Sequence, residues 1–381
     1  MKIVIAPDSF KGSLTALEAA EAIERGLKKV WPDIECCLFP IADGGEGTVE
    51  TLVSLNGGQM KTDTVLDPLG RPIKAAWGLI NDGRTAVVEV AVTSGITCIT
   101  AAERDPAMAC THGLGQIINT ALSDSAVTKL IVGLGGSATN DGGAGMLTAL
   151  GLKLLNKAGQ PIKPGGLGLE ELDRIELDGL NPRLKDVEIV VACDVQNPLT
   201  GPKGASAIFG PQKGADPAMV QRLDKALVHY AACARQRTGR DMETAPGAGA
   251  AGGLGAAFLF FTDAVFRPGV QIVLDEGGFR EKATGASLII TGEGQSDHQT
   301  AWGKAPVGVA ALAHEQGIPA ILLSGSLGKG YQELYQHNLH GMMTLAPGPI
   351  TVETAMAQAS TLLEDAAERL AHLLSIKLPV A

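Results

Sequence analysis

The chain has 381 residues, 45% hydrophobic and 19% charged, with a net charge of -10. That length exceeds the roughly 250–300 residues at which one hydrophobic core splits, so two domains are expected. An acidic chain without a Lys/Arg run excludes a nucleic-acid backbone as partner, and no apolar window reaches the roughly 18 residues of a membrane span.

In chain order, residues 2–6 read as a buried strand, followed by a loop through Ser13. A capping box at Thr15 and Glu18 opens a helix that Trp31-Pro32 stops, with Leu17, Ala20, Ile23 and Leu27 on one face. A strand over 35–41 runs into the acid-and-glycine loop 42–48, and a helix through Val49, Leu52 and Val53 ends at Asn56-Gly57-Gly58. The texture then changes to short β-like runs over 62–92, with turns at 67–70 and 81–83. A helix over 113–122 precedes a strand at 130–132, a glycine-rich loop, and a helix carrying Met146, Leu147, Leu150 and Leu154. Residues 187–193 form a strand ending at Asp194. Helices follow over 217–237 and, after the loop 246–255, to Phe261. The last hundred residues alternate simply: strand 286–291, loop 292–297, helix 307–315, strand 318–323, a strand near 342–345, and one long final helix. Val352, Met356, Leu362, Leu363, Leu370 and Leu373 fall on one face of that helix.

Simple alternation at both ends with a different middle predicts an α/β fold of two α/β domains. Residues 1–65 and 284–381 form a discontinuous domain, and 66–283 an inserted one, with the active site in the cleft between. The six cysteines, at 36, 37, 98, 110, 193 and 233, form no C-x-x-C pair and no zinc-type spacing with histidine. They read as reduced thiols, and with an N-terminal apolar run too short for a signal peptide they point to the cytoplasm.

The stretch from Leu130 to Met146 is the strongest single signal. Glycines 133, 135 and 136 let a ligand approach the backbone, while Ser137, Thr139 and helix N–H groups supply donors, the pattern of a phosphate cradle. Asp141 among those donors calls for a cation, Mg²⁺ for nucleotide phosphates. The competing reading is a strand-to-helix turn whose glycines only pack and whose Asn140 or Asp141 caps the helix.

Five strand runs end in acidic loops, at Asp8, Asp43, Asp141, Asp194 and Glu293. Ligands of open α/β sheets bind beyond the carboxyl ends of the strands, so these acids are expected to gather around a cleft. Two near matches to the dinucleotide fingerprint fail. Gly133-x-Gly135-x-x-Ala138 has no acid in residues 142–169, and no strand leads into Gly247-x-Gly249-x-x-Gly252. The Walker pattern is absent. Lys11, Lys213 and Lys304, each beside a glycine or in a glycine-rich loop, are candidates to meet phosphate charge, against the alternative of solvated lysines.

The segments 1–14 (MKIVIAPDSFKGSL), 42–48 (ADGGEGT), 135–143 (GGSATNDGG), 191–195 (VACDV), 209–214 (FGPQKG) and 247–253 (GAGAAGG) together resemble the bacterial glycerate kinase family of the type-1 class, over essentially the full length. The resemblance implies ATP-dependent, Mg²⁺-requiring phosphorylation of D-glycerate, typically to 2-phosphoglycerate, in glyoxylate and sugar-acid catabolism. It also implies a Rossmann-like parallel-sheet domain interrupted by a second α/β domain. Two loops depart from the family pattern: Gly292-Glu-Gly-Gln-Ser-Asp297 where relatives read Gly-Glu-Gly-Arg-Ile-Asp, and Gly113-Leu-Gly-Gln116 where they read Gly-Thr-Gly-Glu. Losing that Arg removes a planar clamp for carboxylate or phosphate.

Phosphoryl transfer needs positioning, charge neutralisation and a base. On this reading Asp194, Asp8 and Lys11 are the catalytic candidates, with Asp194 as base for the glycerate hydroxyl or else a metal ligand. Gly135, Gly136, Ser137, Thr139, Asn140, Lys213, Gly249 and Gly252 are expected at the nucleotide, Ser9, Glu293 and Lys304 at the substrate, and Asp43, Asp141 and Asp297 at the metal. The expected partners are small molecules, with no nucleic acid and no membrane; self-association into a homo-oligomer is left open. The alternatives are a two-lobed small-molecule binding or regulatory protein and, third, a nucleotide-dependent oxidoreductase.

Overall fold

Thirteen strands organise residues 1–376, the part described by the computed structural model. They are β1 (Lys2–Pro7), β2 (Glu35–Leu38), β3 (Gln59–Leu66), β4 (Pro72–Ile80), β5 (Thr85–Glu89), β6 (Lys129–Gly133), β7 (Lys153–Leu155), β8 (Arg174–Glu176), β9 (Glu188–Ala192), β10 (Val265–Arg267), β11 (Leu288–Glu293), β12 (Ala320–Ser324) and β13 (Leu339–Thr344). The chain divides into two compact units, Met1–Asp43 with the chain from Val270 onward, and Gly44–Gly269. No helix among the described residues is long and apolar enough to cross a membrane.

The first unit holds a five-stranded sheet in the order β13-β12-β11-β1-β2, parallel throughout. Such a sheet is covered on both faces, which is why β1 and β11 read as continuous apolar runs rather than alternating ones. Ala19, Ile23 and Leu27 of the helix Ala16–Val30 pack with Leu363, Ala366 and Leu370 over Ile3, Ile5 and Ile290. The capping box forms as the sequence predicts, with Glu18 N–H donating to Thr15 Oγ1 and Thr15 N–H to Glu18.

The single long final helix is instead two, Val352–Ala357 and Ala359–Leu374, broken at Gln358 (φ −110°, ψ 16°). One apolar stripe serves two surfaces: Leu363, Ala366 and Leu370 enter the core, while Val352, Ala355 and Met356 line a cavity.

The second unit holds a six-stranded sheet, β10-β9-β6-β5-β4-β3. Its first four strands are parallel; β4 and β3 join antiparallel through tight turns, which accounts for the changed texture after residue 62. Leu130 and Val132 pack with Leu114, Ile117 and Ile118 of the helix His112–Ser123. The helix expected to carry Leu150 and Leu154 ends at Ala149, and Leu154 lies in β7, paired antiparallel with β8. Gly151 causes the stop. Its φ of +96° leaves the helical region, and any Cβ there would sit 2.0 Å from Gly179 O.

The units also divide at other places than 65 and 284. Residues 44–56 belong with the second unit because Glu89, at the end of β5, accepts the N–H groups of Gly47, Thr48 and Val49 at the start of the helix Thr48–Asn56. Residues from Val270 belong with the first, where Phe279 packs edge-on against Phe39 with ring centroids 5.0 Å apart.

Candidate active site

The ends of β1 and β11 set the first unit's chemistry. Their parallel pairing runs from Ile3 opposite Leu288 to Pro7 opposite Gly292, so the next residues, Asp8 and Glu293, emerge side by side at the carboxyl edge. Beyond β2 the chain stays along β1, with Phe39 N–H donating to Ile5 O and Ile41 N–H to Pro7 O. That path delivers Asp43 to the same edge. The loop after Asp8 is closed by Phe10 N–H donating to Leu14 O and Ser13 Oγ to Phe10 O. Lys11 sits at its tip.

These residues line one cavity of about 480 Å³: Asp8, Ser9, Lys11, Asp43, Glu293 and Lys304, together with apolar residues that include Phe10, Leu345 and Met356. In this partly dehydrated space Asp43 and Glu293 disfavour charge on Asp8. Asp8 is pushed up to about 7, by burial first and by Asp43 second, although Ser9 N–H donates to its Oδ1 at 2.7 Å. Burial likewise raises Glu293, against the pull of Thr300 Oγ1, which donates to its Oε1 at 2.7 Å. Asp43 Oδ2 lies 3.4 Å from Lys11 Nζ, and Asp43 raises the lysine in turn. With Lys11 80% exposed, the pair adds little stability; it keeps a protonated ammonium beside the carboxylates.

Of the acids expected together, the structure therefore groups Asp8, Asp43 and Glu293, and adds Ser9, Lys11 and Lys304 as predicted neighbours. Asp297 is not among the lining residues; its Oδ1 accepts Gln299 N–H in a local turn. Among the described residues no three His, Cys, Asp or Glu side chains form a metal centre by themselves. That donor set still fits Mg²⁺, which is held by one or two carboxylates together with waters and substrate phosphates rather than by an all-protein cage.

The second unit's glycine loop is differently built. Asp141 is fully buried. Its Oδ2 accepts Thr111 N–H, Thr111 Oγ1–H and Gly145 N–H at 2.8–3.1 Å, and its Oδ1 accepts Gly143 N–H at 3.1 Å. All four of these bonds are to the protein itself, tying the glycine loop to Thr111 at the start of the helix His112–Ser123, while the short helix after the loop begins after Gly143. Lys213 is also buried and donates to Thr139 O; burial pushes its ammonium down to about 7. It props the loop from beneath rather than reaching into solvent. Asn140 is buried, donating to Ser206 Oγ at 2.9 Å, and Ser137 Oγ bonds Thr139 Oγ1. The glycines serve close approach of chain to chain: a Cβ would meet Gly45 Cα at Gly135, Pro198 O at Gly249 and Thr139 O at Gly252, each within 2.5 Å. Only Gly136 of the eight predicted nucleotide residues is exposed.

Asp194 is exposed just beyond β9, and its Oδ1 accepts Gly269 N–H at 3.0 Å. Sequence reasoning missed Glu89, 1% exposed and pushed up to about 8 by burial, which holds the loop before Thr48. The signal was present: the apolar run 86–88 ends in this acid as the others end in theirs.

The pairing of β1, β2 and β11 with acids at their ends is the arrangement the sequence motifs foreshadow, and comparison decides the family. The glycerate kinase family model matches residues 3–375. The chain belongs to the glycerate kinase family. It is 47% identical over 369 residues to the glycerate kinase of Halalkalibacterium halodurans, covering 97% of both chains. It is 44% identical over 376 residues to the glycerate 2-kinase of Escherichia coli K12, covering 99% of this chain and 98% of the relative. A Salmonella typhimurium LT2 crystal structure, provisionally assigned as glycerate kinase 2, superposes with a TM-score of 0.88 at 45% identity and 98% coverage of both chains. Family membership makes this α/β protein a phosphotransferase, so the site has to manage phosphoryl transfer.

Proposed function

We propose that the protein phosphorylates D-glycerate with ATP and Mg²⁺, giving 2-phosphoglycerate in the breakdown of glyoxylate and sugar acids, as a cytoplasmic enzyme. The observation that carries the reading is the cavity where Asp8, Asp43 and Glu293 meet Lys11 and Lys304 at the ends of parallel strands. The glycerate 2-kinase name of the Escherichia coli relative supports the 2-position.

Asp8 suits the base. A base works best with a pKa near the working pH, and Asp8 stands at about 7. In the proposed step Asp8 accepts the proton of the glycerate hydroxyl as that oxygen attacks the terminal phosphorus and the bond to the departing ADP oxygen breaks. Lys11 neutralises charge on the transferred group. Asp43 and Glu293 would hold Mg²⁺, which when bound would supply charge neutralisation for the phosphate oxygens. Lys304 is assigned to the substrate's negative charge, and Asp194 remains a second candidate for the base.

The test is product analysis. Purified protein should release ADP and 2-phosphoglycerate only when ATP, Mg²⁺ and D-glycerate are all present. No phosphoglycerate at millimolar substrate would defeat the reading, and 3-phosphoglycerate would correct its regiochemistry.

A further inference from the structure

The carboxylate cavity is larger than its polar end requires. Its volume of about 480 Å³ lies within the roughly 300–1,000 Å³ of pockets that take drug-sized ligands, and a three-carbon acid fills a small part of it. The remaining lining carries the polar Ser13, Gln295 and Ser326 together with an apolar set: Phe10, Leu345, Val352, Ala355, Met356 and Leu362.

Two kinds of residue make that wall. Phe10, Leu345 and Leu362 are buried at 2%, 4% and 9% exposure and belong to the core behind it. Val352 and Met356 belong to the short helix Val352–Ala357, which has no buried residue of its own. They are one turn apart, so they share a face, and that face lines the cavity while remaining 69% and 41% exposed. Thr351 caps the helix by accepting Thr354 N–H, and Met356 reaches the Lys11 loop, where its Cε would meet a Cβ placed on Gly12 at 2.8 Å. An apolar face is thus held over a cavity that it shares with carboxylate and lysine groups.

A ligand that satisfies both ends has a flat, weakly polar ring at one end and an anionic chain that arrives with a cation at the other. We infer that this cavity binds the nucleoside triphosphate, with the purine base against Val352, Met356, Leu345 and Leu362 and the phosphate chain toward Asp43, Lys11 and Glu293. The inference deepens the proposed kinase reading and rests on it for the identity of the donor. It moves the nucleotide away from the glycine loop of residues 135–140, whose Ser137, Thr139 and Asn140 side chains already bond within the protein. It also leaves the acceptor hydroxyl to meet the terminal phosphate beside Asp8.

The test is Val352→Asp in the full-length protein. Val352 is exposed and opens its helix, where an acid is compatible with the helix dipole, so folding should be preserved, with an unchanged Tm. The substitution puts a carboxylate against the base. The expected result is a KM for ATP raised at least tenfold with the KM for D-glycerate within twofold. Calorimetric binding of Mg²⁺-ADP without glycerate should weaken by a similar factor. Met356→Ala should show the same split, smaller. A raised KM for glycerate with that for ATP unchanged would overturn the assignment, as would two unchanged constants. If the parent forms no phosphoglycerate, the kinase reading fails, yet the Mg²⁺-ADP titration still decides the pocket: weakened binding in Val352→Asp upholds it, and equal or absent binding in parent and variant rejects it.

Discussion

Strand-end loops that read alike in the sequence behave oppositely in the two units of the molecule. At Asp8, Asp43 and Glu293 the carboxylates line a cavity and share it with lysines, and burial raises the pKa of Asp8 and of Glu293, with Asp43 adding to the rise at Asp8. At Asp141 the carboxylate has no exposed surface and is met by three backbone N–H groups and a hydroxyl. All of these loops follow a parallel strand, and those at Asp43, Glu293 and Asp141 are rich in glycine. The difference lies in what occupies the space above the loop. In the first unit that space is open; in the second, the chain itself fills it, with Gly252 so close to Thr139 O that a Cβ would fall 2.0 Å away. An acid and glycines after a strand therefore identify a place where backbone crowds together, and the neighbours decide whether a ligand or the chain is what arrives.

The comparison breaks most visibly at Asp141. Asp141→Ala strands three buried N–H donors, at about 1–3 kcal/mol each, against a total stability of roughly 5–15 kcal/mol for a domain. The second unit should then unfold at much lower denaturant or temperature, seen as a separate early transition in calorimetry. A Tm within a degree or two of the parent would mean the carboxylate is not structural.

A medium effect concerns pH. Asp8 holds its proton more tightly in the folded state, near 7, than its ordinary 3.8. Between about pH 4 and 7 the folded protein thus binds more protons than the unfolded chain, so stability is fully present at the acid end and declines as pH rises to 7. Glu293 is raised as well and adds in the same direction. In cation-free buffer, urea midpoints should fall across this window, less steeply in Asp8→Asn, and millimolar Mg²⁺ should flatten the slope by favouring the charged carboxylates. Equal slopes for parent and Asp8→Asn would remove Asp8 from the coupled group.

The sequence made much of this legible. The capping box at Thr15 and Glu18, the hairpin turns near Asn81 and Asp82, and the buried strands before Asp8 and Glu293 depend on residues close together in the chain, so local pattern suffices. The grouping of Asp8, Asp43 and Glu293 was also readable, because parallel strands put their carboxyl ends on one edge. What was not readable depended on distant neighbours. Nothing near Lys213 in sequence shows that Thr139 O lies over its ammonium, and nothing near Leu154 shows that Ile175 pairs with it in a small two-stranded sheet. The stripe from Val352 to Leu373 kept helical spacing across a break at Gln358 because periodicity records which side is apolar, not what that side faces.

The smallest effect is expected at Asp194. Its Oδ1 accepts one N–H bond from Gly269, and Asn keeps an acceptor oxygen for that bond. With Asp8 as base, Asp194→Asn should retain turnover within threefold and an unchanged Tm; a hundredfold loss would transfer the base to Asp194.

The central claim, that phosphoryl transfer is carried by the carboxylates beyond β1 and not by the acid of the glycine loop, is tested most directly by one pair of variants. Turnover of Asp8→Asn and Asp141→Asn should be measured at saturating ATP, Mg²⁺ and D-glycerate, at a temperature where circular dichroism shows both fully folded. Loss of a general base typically costs about 10²–10⁴ in rate, so Asp8→Asn should fall at least a hundredfold with its Tm unchanged or raised. Asp141→Asn should stay within about tenfold in rate while its Tm drops, because the amide nitrogen opposes one of the N–H donors the carboxylate accepted. The reverse order, with Asp141→Asn inactive at full stability and Asp8→Asn near the parent rate, would contradict the account.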